Sequence, residues 1–160
     1  ESEQPLMVER YGFVPDTGGA GKYRGGLGIE REFRLLAEDA TFQLRSDRSD
    51  FTPWGVQGGK PGTPTENYLN PGTDREEKLP GKTLRQLKKG DLYRVVQAGA
   101  GGYGDPLERD MYAVADDVEQ EKLSAEYVRR EYGVVVDPKT SALNVSGTEK
   151  LRAEMAAVNN

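Results

Sequence analysis

The chain has 160 residues, 20 of them glycine, a formal net charge of −5, and neither cysteine nor histidine. Those numbers exclude disulfides, a thiolate nucleophile, a Cys/His zinc site and a histidine general base, and they offer nucleic acid no basic cluster. The length suits a single domain with a real core, and no apolar run approaches the ~18 residues of a membrane span.

Eight Tyr, four Phe and one Trp argue against disorder, because they supply large surfaces to bury. The lack of cysteine fits a cytoplasmic protein. The start at Glu1-Ser2-Glu3-Gln4, without methionine, leads us to expect a piece of a longer protein.

In chain order, Leu6 to Val14 reads as a strand carrying Met7, Val8, Tyr11 and Phe13, and Pro15-Asp16-Thr17-Gly18 as a turn. Ile29 to Leu35 alternates apolar and charged residues, and Thr41 to Ser46 repeats the alternation. Glu38-Asp39-Ala40 between them predicts an antiparallel hairpin. From Asp47 to Thr83 the pattern dissolves, apart from a short strand at Asn67-Tyr68-Leu69; so long an irregular stretch is usually functional or ordered by a partner. Lys88-Lys89-Gly90-Asp91 predicts a tight turn into a last strand, Asp91 to Gln97.

Helical spacing begins after Asp105-Pro106. Asp110 caps a helix carrying Met111, Val114, Ala115 and Val118, and Ser124 caps a second, which Gly133 stops. Val134-Val135-Val136 is a short extended link, and Ser146-Gly147-Thr148-Glu149 reads as the capping box of a final helix. The expected class is α+β, a β-rich antiparallel body over 1–104 with glycine-rich loops. Two or three C-terminal helices over 105–160 would pack on it as one domain.

Three glycine clusters stand out: Gly18 to Gly28, Trp54 to Gly62 and Gly99 to Gly104. Repeated glycine marks unusual dihedrals or a close approach of backbone to something else. Gly19-Ala20-Gly21-Lys22 fails the phosphate-loop pattern twice, with Asp16 in place of the first glycine and Tyr23 in place of Ser or Thr. Gly99-Ala100-Gly101-Gly102-Tyr103-Gly104 matches the dinucleotide fingerprint in letters, but Asp105-Pro106 delays the helix that should receive the pyrophosphate. A structural glycine turn is expected instead.

Arg45-Ser46-Asp47-Arg48 could offer an Arg fork to a carboxylate or phosphate; a local Arg–Asp pair fixing the loop is the plainer reading. Trp54 is expected to anchor its loop in the core rather than stack on a substrate. Lys22 and Lys60 lie in glycine loops within reach of an anion. Of the carboxylates, Asp16, Asp47 and Asp105 sit beside the loops, where turn capping also explains them. The candidate cavity or interface residues are Gly19, Gly26, Arg45, Asp47, Arg48, Trp54, Gly59, Gly102, Tyr103 and Asp105.

Taken as an ordered series, the clusters resemble the C-terminal part of the hydantoinase B/oxoprolinase family. Val8-Glu9-Arg10-Tyr11, Pro15 to Gly28, Arg45-Ser46-Asp47-Arg48, Pro53-Trp54-Gly55, Gly58 to Gly62, Gly101 to Pro106 with Glu108-Arg109-Asp110, and Tyr132-Gly133-Val134 follow the family's blocks in order. The resemblance implies a large assembly, in which ATP with Mg²⁺ sits on a hydantoinase-A-like partner and the B-like subunit works with it to open cyclic amides. Acetone and acetophenone carboxylases are similar members that activate a ketone instead. It places no catalytic residue, cofactor or metal on this chain, whose partners would be the A-like subunit and the remainder of the B-like sequence, in the cytoplasm. The role expected is scaffolding and completing a substrate cavity. The alternatives are the same domain in a carboxylase, a non-catalytic binding or assembly module, and an autonomous nucleotide-binding enzyme.

Overall fold

A computed structural model describes residues 4–158, so Glu1-Ser2-Glu3 lies outside the described residues. The chain divides into two compact units, each gathered from three segments: residues 1–14, 28–52 and 64–98 form the first, and 15–27, 53–63 and 99–160 the second. The division differs from the expected one at 104, because the glycine clusters at 15–27 and 53–63 join the unit that holds the helices.

The first unit is built of β-structure. Strands β1 (Leu6–Val14), β2 (Gly28–Leu35), β4 (Glu66–Leu69), β5 (Glu77–Lys78) and β7 (Leu92–Val96) form one antiparallel sheet in the order β1-β2-β7-β4-β5. Strands β3 (Asp39–Arg45) and β6 (Lys82–Lys88) pair separately, Asp39 opposite Lys88 through Arg45 opposite Lys82. The Phe42 ring of β3 meets Tyr93 of β7 at 4.6 Å between centroids, an aromatic contact that ties the pair to the sheet.

The sheet's charged residues are in cross-strand register rather than scattered. Arg10 of β1 stands opposite Glu32 of β2, which stands opposite Arg94 of β7. Arg10 donates to Glu30 at 3.2 Å, and Arg94 also pairs with Glu30. Opposite charges in register stabilise a sheet by a few tenths to about 1 kcal/mol per pair. That layer lets β2 bury Glu30 (8% exposed) at the centre of the sheet.

The predicted strands at Leu6 to Val14, Asn67 to Leu69 and Asp91 to Gln97 are present, as is the turn before β7, where Gly90 takes φ +88°. The hairpin predicted through Glu38-Asp39-Ala40 is not formed. Both edges of β2 are occupied, by β1 and β7, so β3 leaves the sheet and pairs with β6. Strand β6 itself lacked a signal, because its Leu84 and Leu87 are three apart rather than two.

The second unit carries the helices: α1 (Met111–Glu119), α2 (Ala125–Tyr132) and α3 (Val145–Val158), after a 3₁₀ turn at Pro106–Glu108. Asp110 caps α1 by accepting from the Tyr112 and Ala113 amides at 2.9 Å, and Ser124 caps α2 through the Tyr127 amide. Gly133 stops α2 in the left-handed conformation, φ 60°. The start of α3 corrects the expected capping box. Asn144, not Ser146, accepts the Gly147 amide at 2.9 Å, so Ser146 lies inside the first turn.

The core here is Ala20, Val114, Leu123, Tyr127, Val128, Tyr132, Val134 and Val136. All but Ala20 come from the helical stretch, so this core is short-range in sequence with one insertion from a glycine loop. The expected α+β class, β-rich and antiparallel with helices toward the C-terminus, describes the chain.

Candidate functional site

The three glycine clusters meet in the second unit, backbone against backbone. The Gly19 amide donates to the Ala100 carbonyl at 2.8 Å, Lys60 to Ala20 at 2.7 Å, Gly102 to Lys60 at 2.9 Å and Ala100 to Gly26 at 2.9 Å. Segments 15–27, 53–63 and 99–105 are thus stitched together by carbonyls and amides with no room for side chains between them. A Cβ on Gly102 would lie 2.1 Å from the Ala20 oxygen, and one on Gly59 2.1 Å from the Gly102 oxygen. Neither glycine has a left-handed φ; the demand is close approach alone.

Side chains then lock this knot to the helices. Arg24 binds Asp117 of α1 through Nε and Nη2 at 3.0 and 3.3 Å, and Arg109 reaches the same carboxylate at 2.9 Å. Asp117 is 5% exposed, a carboxylate that burial permits because two guanidinium groups share it, with the Lys122 ammonium 3.8 Å away. The Tyr127 hydroxyl donates to the Gly18 carbonyl at 2.8 Å, and burial pushes its ionisation well above the ordinary tyrosine range. Asp16, at φ 63°, accepts from the Ser124 amide at 2.7 Å, joining the turn role expected of it to the start of α2.

At one end the knot presents apolar side chains outward. Tyr23 and Tyr103 form an antiparallel bridge with rings 6.2 Å apart, and Tyr103 bridges Val56 in parallel. Tyr23, Tyr103 and Val56 are 64%, 52% and 46% exposed, and Trp54, two residues before Val56, is 71% exposed. Trp54 therefore does not anchor its loop in the core. Its backbone does that work, with the Trp54 carbonyl 1.9 Å from where a Cβ on Gly101 would stand.

In the first unit, residues 46–51 and 80–82 line an open groove of about 400 Å³. Ser46 in its wall is held by a buried relay: the Tyr93 hydroxyl donates to Asn67 at 2.8 Å, and Asn67 donates to the Ser46 hydroxyl at 3.3 Å. Asn67 is 1% exposed, and burial pushes the Tyr93 ionisation up to about 12. Gly81 presses against the Ser46 carbonyl and accepts the Ser46 amide at 2.7 Å.

Asp47, Arg48, Asp50 and Lys82 ring the groove, with Phe51 79% exposed at its side. The predicted Arg–Asp pair within 45–48 is absent among the described residues: neither Arg45 nor Asp47 has an ion partner within 4.0 Å. Arg45 turns instead to a neighbouring surface shared with Gln43, Thr83 and Leu84.

The ten candidate residues thus separate. Arg45, Asp47 and Arg48 belong to the first unit; Gly19, Gly26, Trp54, Gly59, Gly102, Tyr103 and Asp105 belong to the second. Asp105 caps the 3₁₀ turn through the Leu107 amide at 2.9 Å. A Cβ on Gly26 would face open space, whereas one on its neighbour Gly25 would lie 2.0 Å from the Ala100 oxygen. The sequence did not single out Gly25, Arg24, Asp117 or Asn67, whose importance arises from contacts far apart in the chain.

Lys22 pairs with Glu108 at 3.0 Å. In the 99–104 loop the amides of Ala100, Gly102, Tyr103 and Gly104 all donate to carbonyls, of Gly26, Lys60, Tyr23 and Val56. A pyrophosphate needs such amides uncommitted, so these four are not open to one.

The second unit thus carries a glycine backbone knot with an apolar face, and the first a polar groove, in a chain without histidine or cysteine. The hydantoinase B/oxoprolinase family matches residues 1–106, and the chain belongs to that family. A putative B-type subunit of a D-/L-hydantoinase from a Pseudomonas species is 32% identical over 157 residues, covering 95% of this chain and 26% of its own length. The crystal structure of the ATP-dependent caprolactamase from Pseudomonas jessenii matches 95% of this chain and 27% of its own, with TM-score 0.78 and 29% identity. An acetone carboxylase in its nucleotide-free structure shares the fold over 97% of this chain and 25% of its own, with TM-score 0.82 at 24% identity. The chain thus spans about a quarter of the length of each of these three relatives.

Proposed function

We propose that the chain forms the C-terminal part of a B-type subunit in an ATP-dependent cyclic amide hydrolase, where it shapes the assembly and completes the substrate cavity. The match to the caprolactamase structure carries this reading, since it combines fold, sequence identity and nearly full coverage of the chain. The residues agree with a non-catalytic share of the work. Without histidine or cysteine, the groove offers only Asp47, Arg48, Asp50 and Lys82 as charged groups, suited to orienting a polar ligand rather than activating one.

ATP with Mg²⁺ would be held by an A-type partner and would supply the phosphoryl group that activates the amide oxygen. Four of the 99–104 amides, those of Ala100, Gly102, Tyr103 and Gly104, are committed to carbonyls, which favours a nucleotide site elsewhere in the assembly. The assembly would work in the cytoplasm; among the described residues no helix is long and apolar enough to cross a membrane. A carboxylase role is the second reading, favoured by the fold shared with acetone carboxylase.

The test is reconstitution of this chain with the rest of a B-type sequence and an A-type subunit. ATP-dependent ring opening of hydantoin, 5-oxoproline or caprolactam by the assembly, and none by the chain alone, is the expected result. Acetone-dependent fixation of bicarbonate would transfer the chain to the carboxylases. Turnover of neither substrate class would leave it a binding module.

A further inference from the structure

The exposed face of the glycine knot has the physical character of a buried interface. Tyr23, Tyr103 and Val56 are joined by two backbone bridges, so they project from three separate segments onto one face. Their backbones are fixed: Tyr23 and Tyr103 exchange amide–carbonyl bonds at 3.0 Å in both directions, and the Val56 amide and carbonyl each bond at 2.9 Å to the 102–104 loop. Aromatic side chains held this rigidly lose little entropy when covered, which is the property of interface hot spots.

Isolated exposed apolar side chains need no explanation, but two tyrosines and a valine held side by side from three segments do. Chain length points to what covers them. The relatives carry the matched quarter and the other three quarters in one polypeptide. A face directed at that remainder would be permanently covered, and would therefore favour Tyr and Val over charge.

We infer that the Tyr23–Tyr103–Val56 face is the docking surface for the remaining three quarters of the B-type sequence, and that the knot exists to hold it rigid. This rests on the reading of the chain as part of a B-type subunit. Trp54, the only tryptophan, lies two residues from Val56 and is 71% exposed, so its resonance is the probe nearest the face in sequence.

The experiment uses the 160-residue chain labelled with fluorotryptophan, mixed with the unlabelled polypeptide carrying the rest of the B-type sequence. Binding is read by size-exclusion chromatography and by the fluorine resonance of Trp54. The expected result is a one-to-one complex, a shifted Trp54 resonance and its protection from a soluble quencher. The double variant Tyr103→Asp/Val56→Asp should bind at least about a hundredfold more weakly, with an unchanged far-ultraviolet spectrum. The milder Tyr23→Ser, which leaves the backbone bridge intact, should weaken binding in the same direction.

A complex with Trp54 unshifted and both variants binding normally would overturn the assignment of this face while leaving the B-type reading standing. Coverage of Trp54 by the A-type subunit instead, or by self-association without either polypeptide, would overturn the choice of occupant. Failure to bind both polypeptides, together with no ring opening on reconstitution, would sink the B-type reading itself.

Discussion

The two units reach order by different physical means. In the first, strands supply the backbone hydrogen bonds, and side chains on the strands decide the rest: Arg10, Glu30, Glu32 and Arg94 across one face of the sheet, Phe42 against Tyr93 beside it. In the second, the glycine segments bond to one another largely outside any strand ladder, and side chains are excluded from between them. A sheet tolerates change at many side chains because each pair contributes little. A glycine knot does not, since any Cβ at a contact point displaces backbone.

The sharpest break of that contrast is Gly102→Val. With a Cβ 2.1 Å from the Ala20 oxygen, the second unit should lose more than about 4 kcal/mol, seen as loss of its cooperative transition in urea unfolding. Gly26→Ala is the control. No atom lies within 4 Å of its new Cβ, so stability should change by less than about 1 kcal/mol. Equal damage from both would show that flexibility rather than close approach explains the glycines.

Next comes Asp117→Ala, which leaves Arg24 and Arg109 without their shared carboxylate. We expect a loss of about 3 kcal/mol. Retention of native stability in a thermal melt would show that helix packing alone holds the knot.

Asp91 tests the first unit. Burial alone would raise its ionisation, but the Lys88 amide, Asn70 and Arg75 hold it below the ordinary aspartate value of 3.8. A lowered carboxylate stabilises the fold above its unfolded value, and the contribution disappears as pH falls through the folded value. Asp91→Asn should therefore destabilise by about 1–3 kcal/mol at neutral pH. The gap from the unaltered protein should narrow as the pH drops below 3.8; a gap constant with pH would mean the amide replaces the carboxylate's hydrogen bonds fully.

The smallest effect belongs to Trp54→Ala. At 71% exposure, its removal should shift the stability of the isolated chain by no more than about 0.5 kcal/mol. A larger loss in chemical unfolding would place the ring in the fold after all.

Local signals were legible wherever short-range chemistry decides. Asp110 and Ser124 capped the helices they were expected to cap, Gly133 ended α2, and the alternation in 29–35 marked β2. The cap of α3 was misplaced by two residues, because Asn144 and Ser146 both suit an N-cap and sequence does not rank them. Among the candidate residues, the glycine clusters were visible as positions but not as contacts. Gly25 and Gly26 read identically, yet one is pressed against Ala100 and the other faces open space.

The sequence by itself determined most of the strands, the three helices, the caps of the first two and the family, because propensity, capping and ordered motifs act over a few residues at a time. Tertiary structure alone decided that β3 leaves β2 for β6, that three glycine segments separated by dozens of residues interlock, and that Trp54 faces outward. Those outcomes depend on which edges and carbonyls are already taken when distant segments meet, and no local window contains that information.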